Sequence, residues 1–156
     1  MNILEKYKEL EKLLHKNEDE KIEEIFRGIL EDAITIVNEK FQKNEFLDVN
    51  NPVDKAVIRA MFEYMLELWA EGEIDEAKQL GYDMLYLVKD EKLKEMFSMF
   101  VIGMLERLSL DKFFDNYVKT AKTYKDYFFV NFNDKIDELI IKHKKRFQDE
   151  YAKDAE

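Results

Sequence analysis

Chemistry at a protein site needs a nucleophile, a metal ligand or a tuned titratable pair, and this chain offers few of them. It has no cysteine, which removes thiolate nucleophiles, Cys-ligated zinc, iron–sulfur clusters and disulfides together. Its two histidines, His15 and His143, fall in no H-E-x-x-H or Glu-x-x-His pattern, the spacings that place two ligands on one helix face. His15 closes a predicted helix beside Lys16, where a cation complements the helix dipole. His143 falls on an apolar stripe between Ile140 and Phe147, a packing position. Glu63 and Glu67 stand at i, i+4, but nothing beside them in the sequence would lift one carboxyl toward general-acid use. The run DVNNPVD, from Asp48 to Asp54, has the oxygens of a calcium loop without the mid-loop glycine or the closing glutamate, and Arg59 stands near that end. It reads as a helix cap. Gly103, in GMLER, lies inside a helix, and no glycine-rich phosphate loop occurs. No catalytic residue, metal site or cofactor is expected, and the chain is expected not to be an enzyme.

Two groups suit binding better than catalysis. Six of the seven methionines lie between Met61 and Met104, interleaved with Phe62, Trp69, Phe97 and Phe100. Flexible thioethers fill irregular cores, and on a surface they re-pack around varied partners. The run KHKKR, from Lys142 to Arg146, reads either as cations favoured near a helix C-terminus or as a docking patch for an acidic partner, such as the acidic region of a second copy.

Composition bounds what these residues are mounted on. With 156 residues, 46% of them hydrophobic and 13% aromatic, the chain suits one buried core and is short for two domains. Four glycines and one proline leave long stretches without a breaker, which points to helices. The net charge of −10 argues against a dedicated nucleic-acid binder, since phosphates are met by clustered Lys and Arg. The acid excess is confined to residues 1–108, and residues 109–156 carry ten basic and ten acidic side chains. No window approaches the roughly 20 apolar residues that span a bilayer, and MNILEKYKELEKLL lacks the apolar core of a signal peptide. A cytoplasmic protein away from membranes is expected.

Apolar periodicity predicts seven antiparallel helices in a single all-α domain. The first runs from Asn2, its cap, to Lys16; the second continues to about Asn44. Asn51-Pro52 opens a third, which stops at Gly72, and a fourth reaches Lys89. Asp90 and Ser109 cap the fifth and sixth. The sixth keeps its pattern through Tyr124 and Phe128, so that it either continues to Phe129 or breaks near Thr123. A last helix spans about Asn133 to Ala152. The organisation is 1–50 N-terminal helices, 51–122 two helix pairs, and 123–156 a C-terminal covering helix.

Within that order, Ala60 to Leu87 resembles a tetratricopeptide repeat. Ala60, Tyr64 and Leu68 stand at its first-helix packing positions, Gly72 at the turn, and Ile74 and Ala77 at the start of the second helix. Met65, Met84, Gly81 and Lys89 depart from the family's usual residues. A weaker second unit covers about Phe97 to Tyr117, offset by about 36 residues, with Leu108 in place of the turn glycine and Phe113 in place of the small residue. A plain helical hairpin with a glycine turn explains the same residues. The resemblance implies a groove faced by Arg59, Phe62, Leu66 and Trp69, either filled by the N-terminal helices or open to a partner. It implies a non-catalytic adaptor, scaffold or chaperone that holds a protein or peptide. The alternative is a structural helical protein that acts by homodimerisation through its second and last helices.

Overall fold

Four of the predicted caps hold their helices by side-chain oxygens, each satisfying an amide that a helix start otherwise leaves open. In the computed structural model, which describes residues 1–16, 18–124 and 127–154 and the side chains outside 120–130, Asn2 Oδ1 accepts from the Glu5 amide at 2.9 Å and opens α1, Ile3–Leu14. Asn51 Oδ1 accepts from Val53 and Asp54 and opens α3, Pro52–Ala70. Asp90 caps α5, Glu91–Leu105, and Ser109 caps α6, Leu110–Tyr117. Between them lie α2, Asp19–Lys43, which ends on left-handed Asn44, and α4, Ile74–Leu87. The chain closes with α7, Ile136–Asp154. The fold is all-α, with one small hairpin.

That hairpin corrects the expected course of the sixth helix. It stops at Tyr117, and Val118–Tyr124 (β1) pairs antiparallel with Tyr127–Phe132 (β2). Tyr117, Ala121, Tyr124 and Phe128 do recur at helical spacing. The segment is nevertheless crowded with β-branched and aromatic residues, which lose χ1 freedom in a helix and suit a pleated strand. The last helix therefore begins three residues beyond Asn133.

Sequential helices pack as neighbours from α1 through α5; α7 then lies against α4 and α5, and α6 against α3. In the middle, α3 touches α1, α2, α4, α6 and β2. This is why it is apolar around most of its circumference: ten of its residues are buried, including Ala60, Met61, Phe62, Met65, Leu68 and Trp69.

The α3–α4 turn is made by Gly72 at φ +87°, where a side chain would be strained. The α5–α6 turn repeats it with Arg107 at φ +63°. Glu71 and Glu106 both close their helices with amides donating to the residues four and two before them. The two turns are thus 35 residues apart, and the left-handed position of the second falls on Arg107 rather than Leu108. A ring cluster joins the halves. Phe100 packs edge-on to Phe62, Trp69 and Phe132 at centroid distances of 5.2, 6.3 and 5.8 Å, and against Phe113 at 5.3 Å.

Candidate functional site

The four residues expected to face one groove are divided between core and surface. Phe62 and Trp69 are 3% exposed and pack against rings of α5 and α6. The Trp69 indole N–H donates to the Leu108 carbonyl at 2.9 Å, so its polar atom is satisfied inside. Leu66 is half-buried against the core. Arg59, on the edge of the same face, reaches α1 instead: its guanidinium sits 4.2 Å from the centroid of the Tyr7 ring and its Nε donates to Glu63 at 3.0 Å. The Tyr7 hydroxyl donates to the same carboxylate at 2.9 Å. Burial, then the Glu63 charge, hold that hydroxyl above its ordinary pKa and keep it a donor. A cleft of about 380 Å³ opens there between α1 and α3.

A larger groove, about 590 Å³, opens where α5, the base of the hairpin and the start of α7 meet. Met96 and Met99 come from α5, Phe132 from β2, and Ile136 and Ile140 from α7. Glu95, Asp134 and Asp137 stand among them with Lys92, so carboxylates outnumber cations. Asn133 ties the end of α6 to the approach to α7. Asn133 donates through its amide to Tyr117 O at 2.9 Å and through Nδ2 to Asn116 O at 2.7 Å. Its Oδ1 accepts from the Lys135 amide at 3.0 Å, next to the helix start. Met96 and Ile136 are buried and Met99 is partly exposed, so the groove has an apolar floor under an acidic rim.

Two glutamates clamp α7 onto the body. Glu106 accepts from Lys142 Nζ and pairs with His143 Nε2, each at 2.7 Å. The Lys142 and His143 hydrogen bonds, in that order, hold the Glu106 carboxyl below its usual pKa. Glu150 accepts from Lys78 at 3.0 Å and from the Tyr82 hydroxyl at 2.8 Å. Burial works against its charge, but the Tyr82 and Lys78 bonds prevail and its pKa is lowered. The run KHKKR is therefore shared out: Lys142 and His143 go to Glu106, Arg146 approaches Glu150 at 3.6 Å, and Lys144 and Lys145 remain exposed. Because α7 continues to Asp154, the run sits mid-helix, away from the carbonyl end where a dipole would favour it. His143 is thus a hydrogen-bond partner as well as a packing residue, a role set by a carboxylate far away in sequence.

The oxygens of DVNNPVD are spent on the backbone. Asp54, 5% exposed, accepts from the Asp48 amide, and Asp48 accepts from the Asn50 amide. No group of three or more His, Asp or Glu that could hold a metal ion occurs among the described residues.

Among the described residues a pair of carboxyls is strongly tuned. Burial, then a hydrogen bond to Asp154, push the Asp83 carboxyl up to about 7, and burial raises Asp154 as well. Neither lines the two openings described above, so the pair joins α4 to the end of α7. A carboxyl whose pKa is raised on folding stabilises the fold fully below its unfolded pKa and ceases to do so as pH rises through its folded value. The melting temperature is therefore expected to fall as pH rises from about 4, the unfolded carboxyl's value, to about 7. Asp83→Asn should flatten that fall, as a pH series of thermal melts would show. An undiminished slope in the variant would assign the pH dependence to other groups.

No helix among the described residues is long and apolar enough to cross a membrane. No protein-family model, curated protein or solved structure matches this chain.

Proposed function

We propose that the protein is a non-catalytic binding module, an adaptor or scaffold, that holds a basic amphipathic segment of a partner protein in the groove between α5 and α7. The observation that carries this is the pairing of a floor of Met96, Met99, Ile136 and Ile140 with the carboxylates of Glu95, Asp134 and Asp137. An amphipathic helix laid there would bury its apolar stripe on thioethers that adapt to it, and would set its cations against the rim. Buried apolar area then supplies affinity, while the carboxylates supply choice of partner and speed of encounter. The matched turns at Gly72 and Arg107 support a repeated helix pair as the scaffold under the groove, as the tetratricopeptide-like reading supposes.

The test uses a labelled amphipathic peptide rich in Lys and Arg, and its charge-reversed counterpart, followed by fluorescence anisotropy. The basic peptide should bind, weaken with salt, and lose at least about tenfold in affinity, or 1.4 kcal/mol, in a Glu95→Lys/Met99→Lys variant. Equal binding of the two peptides, or an unaffected variant, would remove the groove from consideration.

A further inference from the structure

The outer face of α7 carries an unusual arrangement about one residue. Ile141 is 80% exposed, the most exposed large apolar side chain among the described residues. Four and three residues before it stand Asp137 and Glu138; three and four residues after it stand Lys144 and Lys145, and all four are exposed. The ion pairs that α7 makes within the chain run instead from Lys142, Arg146 and Glu150, beside the His143–Glu106 hydrogen bond.

Helix geometry makes this pattern self-complementary between copies and unusable within one. Asp137 and Lys144 are seven residues apart, as are Glu138 and Lys145. Seven residues advance a helix about 10.5 Å along its axis while returning to within about 20° of the same line. Each acid is thus too far from its base to pair along the helix. If a second α7 lies antiparallel, related by a two-fold axis passing beside Ile141, the heights are exchanged and the lateral positions kept. Asp137 then meets Lys144 of the other copy, Glu138 meets its Lys145, and the same two pairs recur in reverse around an Ile141–Ile141 contact. A two-fold contact of this kind presents the same patch from both sides.

We propose that α7 is a self-docking surface, on which two copies of this chain pair antiparallel about Ile141. The contact is a reversible one. A single helix of 19 residues is about 28 Å long and offers one apolar anchor per copy, less than a permanent dimer uses. Its ion pairs lie at the rim, so association weakens as salt rises. Asp137 also lines the α5–α7 groove, but Glu138, Ile141, Lys144 and Lys145 do not, so the Lys144→Glu/Lys145→Glu and Ile141→Asp variants test this surface without altering the groove.

Sedimentation analysis of the full chain over a dilution series, at low and high salt, tests the proposal. The wild-type chain should show a monomer–dimer equilibrium that shifts to monomer on dilution and in high salt. Lys144→Glu/Lys145→Glu makes the face uniformly acidic and should be monomeric; Asp137→Lys/Glu138→Lys makes it uniformly basic and should be monomeric too. Mixed together, the two variants should associate as a heterodimer, which no general loss of folding would allow. Ile141→Asp should abolish association in every combination. A wild-type chain that stays monomeric throughout, a wild-type dimer that persists in both charge-reversed variants, or a mixture that fails to associate would each overturn the proposal.

Discussion

Phe100→Ala should lower the stability of the fold by about 3–5 kcal/mol, the cost of emptying a large aromatic site that cannot collapse. Phe100 is fully buried and lies among the rings of Phe62, Trp69, Phe113, Phe114 and Phe132. These rings come from α3, α6 and β2, so the vacated space is walled by several elements at once. Edge-on ring pairs add about 0.5–1.5 kcal/mol beyond their buried area, and this residue makes several. Against a total of about 5–15 kcal/mol for a domain, the loss takes a large share. Denaturant unfolding should show a lower midpoint with a nearly unchanged slope. A loss below about 1 kcal/mol would mean that the surrounding rings close the gap and that the cluster is loosely packed.

Gly103→Ala should be the most damaging way to add a single methyl group. Gly103 is where α6 closes on α5: a Cβ placed there would lie 2.4 Å from two carbons of the Phe113 ring and 3.0 Å from Cη2 of Trp69. Neither ring has an easy escape, because Phe113 is fully buried and Trp69 is pinned through its N–H to Leu108. In a plain helix the substitution would gain about 1 kcal/mol from better propensity. Here overpacking, typically about 1–3 kcal/mol and higher when neighbours cannot move, is expected to prevail and to displace α6. Thermal melts should show a fall in melting temperature, with the Trp69 fluorescence altered in the native state. A stabilised variant would show that α6 shifts at no cost.

The two substitutions also mark the division between local and distant causes. Helix starts were legible in the sequence because a cap is a bond between residues two or three apart, as with Asn51 and the amides of Val53 and Asp54. The stop at Gly72 was legible because left-handed backbone is a property of one residue. The equivalent stop at Arg107 was not, since an arginine carries no such signal although its backbone is left-handed at φ +63°. The hairpin was missed because Tyr117, Ala121, Tyr124 and Phe128 satisfy a helical period while their neighbours favour strands. Pairing with Phe132, itself held against Phe100 and Phe113, decides between them.

The candidate site followed the same rule. That Phe62 and Trp69 share a helix face with Arg59 is a consequence of spacing; that α5 covers the first two, while Arg59 settles on Tyr7 and Glu63, required the partners. Glu106 lies 36 and 37 residues from Lys142 and His143, and nothing local joins them. What the sequence alone determined is the helical class, most helix ends and the poverty of catalytic groups, because each depends on residue type and short-range spacing. Which faces are spent in the core, and which are left open between α5 and α7 or along the outside of α7, was decided by tertiary packing, because burial belongs to pairs of surfaces rather than to either one.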